Sequence, residues 1–164
     1  KKKKRAELIL IAPERDSWDA AWGRRFAVNY ADVAGRMRFF SVRNRSDMLS
    51  LLCAVDVVLE SPAWNDAMLA FDCLGLGVPL VTLPGSAARS RRSHTCYRQI
   101  SVFDCVAYHS ADYVDTALTL ATDKRRRSVV SQAIRSRSHI LFGQKSSFDA
   151  YMQFLEKTIQ PAYA

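Results

Sequence analysis

Residues Asp72–Ser86, D-C-L-G-L-G-V-P-L-V-T-L-P-G-S, decide how the rest of the chain is read. A helix-like run closes on Gly75 and Gly77, Pro79 cannot continue it, and a short apolar segment then stops at Pro84-Gly85. Glycine just past a helix and proline shortly beyond it are the usual stop signals. A brief apolar run between two such breaks reads as a strand buried on both faces.

The same helix–break–strand unit recurs outward in both directions. Upstream, ELILIA (Glu7–Ala12), RMRFFSV (Arg36–Val42) and DVVLE (Asp56–Glu60) are short strand patterns. Between the first two, Trp18, Trp22, Phe26 and Tyr30 recur every four residues on one face of a helix, with Asp16 or Ser17 as its N-cap. The next two helices are SDMLSLLCAV, capped by Ser46, and NDAMLAFDCLGLG. Downstream the pattern is helical to about Ile100, then a weak strand, CVAY (Cys105–Tyr108). Ser110 or Asp112 opens the first of three further amphipathic helices.

Strands of four to six residues alternating with helices are the mark of βαβ units and a parallel sheet with right-handed crossovers. The expected fold is α/β: a Rossmann-like open parallel sheet flanked by helices, with a helical C-terminal extension. One domain over 6–164, helical from about 110 onward, is expected behind a basic tail at 1–5.

At 164 residues the chain is long enough for one full core and short for two. No uninterrupted apolar run of about 18 residues appears, so no membrane span is expected. KKKKR followed by AELILIAPERD breaks into charge too soon for a secretory signal. Cys53, Cys73, Cys96 and Cys105 show no CxxC spacing, and His94, His109 and His139 are scattered. The reading is therefore reduced thiols in a cytoplasmic setting and no metal or other cofactor. Net charge is +8, with arginines concentrated in ARSRRSHTCYR and DKRRRSVVSQAIRSRS. Such clusters either form a solvated face or favour phosphates, nucleic acid or an acidic surface. For Lys124–Arg127 the dipole of a preceding helix end is explanation enough.

In open parallel sheets ligands bind beyond the carboxyl ends of the strands, where free amides at helix N-termini suit anions. Three loops should open on that edge: SVRNRSD, ESPAWNDAM and PGSAARSRR. They would gather Arg43, Arg45, Asn65, the amides near Ala67–Leu69, and Arg89–Arg92. Trp64 lies in the second of these loops, placed to stack on a ligand or serve an interface. GxGxxG, GxxxxGK[ST] and GxSxG are all missing, so dinucleotide, P-loop and serine-hydrolase readings lack their fingerprints.

Taken in order, AELILIAP, ADVAGRMRFFSVRNRSDMLSLLCAVDVVLESPAW, AFDCLGLGVPLVTLPGSAARSRR, YRQISVFDCVAYHSADYVDTALTLATD and ILF resemble the C-terminal lobe of the O-GlcNAc transferase and SPINDLY family. These are GT-B glycosyltransferases, usually joined to tetratricopeptide repeats. The resemblance runs from roughly Ala6 to Phe154. Its most specific piece is D-x-L-x-x-G-V-P-L-V-T-L-P-G followed by S-R.

The resemblance implies a nucleotide-sugar ligand, a UDP-sugar or GDP-sugar, bound without metal. It implies that Asp72 accepts from the ribose hydroxyls, that Val42, Arg43 and Arg45 surround the base, and that Met48 stands where the family has a base-stacking histidine. The pyrophosphate would rest on the amides of Ala67, Met68 and Leu69. Arg91, in the family's S-R, would touch phosphate or brace its own loop, and His94 would be an ordinary half-buried histidine.

The departures count as well. Where the family reads Gly-His-Thr-Thr, this chain reads Asp66-Ala67-Met68-Leu69. Asp66 sets a carboxylate where a diphosphate would arrive, opposing it by about 4 kcal/mol at ~4 Å and an effective dielectric near 20. The lobe that would carry the protein acceptor is not in this sequence. Two readings follow. One is the donor-binding lobe of a cytoplasmic protein O-glycosyltransferase acting on Ser/Thr, incomplete alone. The other is a degenerate, non-catalytic scaffold that binds an acidic partner or RNA.

Overall fold

The structure, a computed structural model, describes residues 6–12 and 16–159. The tail expected at 1–5 and the side chains of Asp16, Ser17 and Trp18 lie outside the described set. β1 (Leu8–Ala12) pairs in parallel with β2 (Met37–Ser41), from Leu8 opposite Met37 to Ala12 opposite Ser41. Two helices, α1 (Asp16–Asn29) and α2 (Ala31–Ala34), cross between them. After α3 (Arg45–Ala54), β3 (Val58–Leu59) pairs in parallel with β4 (Leu80–Val81) across α4 (Ala67–Leu76). The remainder is helical: a 3-10 turn at Ala88–Ser90, α5 (Arg92–Gln99), α6 (Ser110–Thr122), α7 (Lys124–Arg137), a second 3-10 turn at Ser138–Leu141, and α8 (Lys145–Ile159). The alternation of β1 to β4 with helices and the helical extension from 110 are as expected, while the strand expected at Cys105–Tyr108 does not form.

The sheet is more fragmentary than its sequence pattern suggests. Among the described residues the strands form two separate parallel pairs, and CVAY contributes a single bridge, Val106 to Thr82. Strand β4 explains part of this. On one edge Pro79 and Val81 carbonyls accept from Val58 and Glu60 amides. On the other edge Leu80 meets a side chain instead of a strand. Its N–H donates to the Tyr97 hydroxyl, which donates in turn to the Leu80 carbonyl, both at 3.0 Å. Two residues on, Thr82 pairs with the Cys105 carbonyl and the Ala107 amide. A fully buried phenol therefore supplies what one residue of a neighbouring strand would otherwise provide.

Helix α4 sits between two apolar clusters. On one side Leu52, Ala70, Cys73, Val78 and Leu80 join α3 to α4 and β4. On the other, Leu74, Val81, Tyr97, Ile100, Leu120 and Ile134 join it to α5, α6 and α7. Full burial of each such Leu, Ile or Val contributes about 1.5–3 kcal/mol. Gly77 ends α4 at φ +73°, its amide bonding back to Cys73 and Leu74, and α7 clamps that end through Ser131 Oγ to the Gly77 carbonyl at 2.6 Å. Gly75 stays inside the helix, where Phe142 packs on it.

The β1–β2 pair departs from the expectation of burial on both faces: Ile11 is 48% exposed and Phe40 45%. Only short α2 and α1 accompany it, and α1 approaches β2 at Gly23, beside the Phe39 ring. The α1 aromatics stack mainly on one another, Trp22 on Phe26 at 5.9 Å and Phe26 on Tyr30 at 6.0 Å. The cap of α3 is Asn44, not Ser46: its side-chain oxygen accepts from the Asp47 amide at 2.9 Å.

Candidate functional site

The three strand-following loops meet around the N-terminal half of α4. From the loop after β2, Arg45 reaches Asp72 on α4, Nη2 to Oδ1 at 2.5 Å. From the loop after β3, buried Asn65 ties into the loop after β4. Its amide donates to the Arg89 carbonyl at 2.9 Å, and its side-chain oxygen accepts from the Arg92 amide at 3.1 Å. The Asn65 side-chain NH2 donates to Ser61 within its own loop. Arg91 donates to the Gly85 carbonyl at 2.8 Å, so it braces its own loop.

Below this rim Glu60, at the end of β3, joins three elements. Its carbonyl accepts from the Tyr113 hydroxyl of α6 at 2.8 Å, and its Oε1 accepts from Ser93 of α5 at 2.5 Å. Glu60 is 3% exposed, and neither its Oε2 nor the neighbouring Thr82 hydroxyl has a partner of ordinary geometry. Burial pushes the carboxyl pKa up, the Ser93 and Thr82 hydroxyls pull it partway back, and Asp66 pushes it up further. Burial, then Glu60, carries Tyr113 up to about 12. Burial, then Asp72 and Glu60, carries the Cys73 thiol to about 12, which leaves it a packing group and not a nucleophile.

Asp72 is the acid of the rim that meets a distant arginine, with its own side chain only 10% exposed. Arg45 holds Oδ1, while Oδ2 has no partner among the described residues and is not among the buried unsatisfied atoms. Arg43 turns to Asp47, its Nε 3.9 Å from that carboxylate. Val42 is half-buried, and Met48 and Leu69 pack against the α3–α4 cluster. The α4 amides are engaged: the Asp66 carboxylate accepts from Met68 N–H at 2.9 Å and Leu69 N–H at 3.3 Å. Ala67 is half-buried and Met68 is exposed. Trp64 is 62% exposed. His94 is half-buried, and burial first, then Arg91 and Arg98, lower its pKa. A shallow groove lined by Trp22, Arg25, Phe26, Asn29 and Tyr30 belongs to α1, not to this rim.

Sequence reasoning brought Arg45, Asp72, Asn65 and the Arg89–Arg92 loop to one place. It missed the Glu60–Ser93–Tyr113 junction. The available signal was an acid at the end of an apolar strand, where burial costs most unless it is partnered.

The sequence profile of glycosyl transferase family 41 matches residues 25–151, well over half of the chain and the whole of this rim. The chain belongs to glycosyl transferase family 41. Its fold is also that of a solved structure, a mutant of the O-GlcNAc transferase of Thermobaculum terrenum, at a TM-score of 0.81 and 24% identity. The likeness covers 96% of this chain and 32% of that one, so this chain spans about a third of that length. Family membership agrees with the resemblance seen in the sequence.

Proposed function

We propose that this chain is the nucleotide-facing lobe of a family-41 glycosyltransferase and that it holds the nucleoside end of a UDP-sugar or GDP-sugar better than the pyrophosphate end. The observation that carries the reading is the Arg45–Asp72 contact. It joins the start of α3 to the middle of α4 at a carboxylate that keeps a second, unengaged oxygen. An ionised carboxylate has about four lone-pair sites, so Oδ2 can take a ribose hydroxyl while Arg45 keeps Oδ1. Arg45 is 61% exposed at its side chain and Asp72 only 10%, so the pair is part-buried and a ribose must share the carboxylate with Arg45 instead of replacing it. Val42 and Arg43 are placed to border a base. The Asp66 cap supports a weak phosphate end, because the amides that would cradle a diphosphate already serve a carboxylate.

Transfer of sugar to a protein Ser or Thr would need an acceptor-bearing lobe, with or without tetratricopeptide repeats. The Asp66 cap also favours a second reading, a non-catalytic scaffold descended from such a lobe. Titration of uridine, UDP, UDP-GlcNAc and GDP-fucose, read by thermal shift and by NMR, separates the two. The donor reading expects millimolar-range binding that Asp72→Ala abolishes and that UDP improves little over uridine. If none of the four ligands shifts the melting point at millimolar concentration, the donor reading fails and the scaffold reading stands.

A further inference from the structure

Between Asp72 and Asp104 the chain contains no acidic residue, yet it carries Arg89, Arg91, Arg92 and Arg98 as well as His94. The five ion pairs among the described residues involve Arg38, Arg43, Arg45, Arg126 and Arg127, none of them from this segment. Arg89, Arg92 and Arg98 are exposed, and their guanidinium groups have no partner among the described residues. Arg91 is exposed as well, one of its nitrogens held by Gly85.

These cations share one surface. Ser93, Cys96 and Tyr97 point α5 into the core, which leaves Arg91, Thr95 and Arg98 on its outer face. On a helix, residues three and four apart are neighbours, which sets Arg91, His94 and Arg98 side by side. At the start of α5, the Asn65 bonds to the Arg89 carbonyl and the Arg92 amide bring the backbone next to Trp64 alongside Arg89 and Arg92. That Trp is 62% exposed. The surface is thus an exposed indole beside exposed guanidinium groups on the turn Ala88–Ser90, at the start of α5 and near the end of that helix of about 12 Å.

We infer that the Trp64–Arg89–Arg92–Arg98 surface binds single-stranded nucleic acid, with Trp64 stacking on a base and the arginines meeting successive phosphates. Three features choose this partner over an acidic protein segment. The cations are all arginine, whose planar fork matches phosphate in two bonds and also stacks on bases. The exposed indole offers a flat face that every base can use and that a run of Asp and Glu cannot. Residues 73–103 contain no acid, which suits a polyanion, and the exposed Asp66 lies two residues from Trp64, where a base and not a phosphate would be met. The inference is independent of the nucleotide-sugar reading: it uses neither Asp72 nor Arg45.

The test is fluorescence anisotropy of a labelled 20-nucleotide oligo(U) with the full chain, over a range of salt. Each phosphate contact contributes about 0.7 to the slope of log K against log salt for single strands, so Arg92→Gln/Arg98→Gln should reduce the slope by about 1.4. The control, Lys124→Gln/Arg125→Gln, removes the same charge from α7 and should leave the slope near that of the wild type. Trp64→Ala should weaken binding about 5- to 150-fold with the slope unchanged. All these side chains are exposed, and an unaltered circular dichroism spectrum confirms that each variant folds. Equal slope losses from the two double variants would overturn the proposal, because attraction would then be diffuse. So would displacement of the oligonucleotide by poly-glutamate together with indifference to Trp64→Ala, which would assign the surface to an acidic protein.

Discussion

Replacing Glu60 by glutamine should stabilise the protein at neutral pH, against the usual effect of core substitutions. In the native structure the carboxyl is 3% exposed, one oxygen accepts from Ser93, and the other has no partner beside an equally unpartnered Thr82 hydroxyl. An unsatisfied buried group costs about 1–3 kcal/mol, and more when charged. In Glu60→Gln the amide oxygen still accepts from Ser93, while the NH2 replaces Oε2 and donates toward Thr82. The gain should be about 1–3 kcal/mol, or roughly 2–4 °C in Tm per kcal/mol for a domain of this size.

The pH dependence makes the prediction sharper. The Glu60 pKa is raised in the folded state above its ordinary value of 4.5, so within the window between 4.5 and the folded value the native state holds the proton that the unfolded state releases. Wild-type stability therefore falls as pH rises through that window, and the variant lacks this loss. Thermal melts followed by circular dichroism from pH 5 to pH 8 should show the two proteins diverging as pH rises. His94 works with the opposite sign, since its lowered pKa makes stability fall as pH drops, but it is common to both proteins and cancels in the difference. A lower Tm for Glu60→Gln at pH 7.5, or a gap that does not change with pH, would refute the reasoning.

Tyr97→Phe removes one oxygen and strands both the N–H and the C=O of Leu80, so it should cost about 2–4 kcal/mol in urea denaturation despite preserving the ring. Gly77→Ala forces a side chain into φ +73° and puts its Cβ 2.2 Å from Arg135 Cγ, so Arg135 must swing away from the Leu76 carbonyl it now meets at 3.1 Å. That substitution should lower stability by about 1–3 kcal/mol, read from the same denaturation curves.

What was legible in the sequence follows from what is local. Gly77 and Pro79 mark the end of α4 because left-handed backbone and a missing amide are properties of those residues themselves. The gathering of Asn65 with the Arg89–Arg92 loop was legible from topology, since parallel crossovers return successive loops to one edge, whereas Asp72 was marked by the family resemblance. The shortness of β3 and β4 was not, because it depends on Tyr97 lying 17 residues beyond Leu80 and presenting its hydroxyl to a strand edge. Nothing in the pattern around RSHTCYRQ distinguishes a phenol that packs from one that completes a sheet. The exposure of β1 and β2 was likewise hidden, since an apolar strand looks the same whether or not both its faces are covered. Asn44 outcompeted Ser46 for the α3 cap by geometry alone, both residue types being good caps.

Asp66 remains the residue on which the chemistry of the rim turns, and its two effects can be separated. As a cap it stabilises α4 by about 1 kcal/mol, and asparagine caps equally well. As a charge it opposes a diphosphate by about 1 kcal/mol if water screens the pair fully, and by about 4 kcal/mol at an effective dielectric near 20, both at ~4 Å. Asp66→Asn therefore keeps the cap and removes the repulsion. If the block is electrostatic, UDP affinity should rise about fivefold at least and several hundredfold at most, uridine affinity should stay constant, and Tm should hardly move. The gain should also shrink as salt is raised, since Asp66 is exposed and such interactions are screened beyond ~10 Å at 0.1 M. Isothermal titration with both ligands at two salt concentrations decides it. Should UDP gain nothing from Asp66→Asn yet bind once Asp66→Gly frees the two amides, the obstacle is occupancy of the hydrogen-bond donors, and charge is not what closes this site.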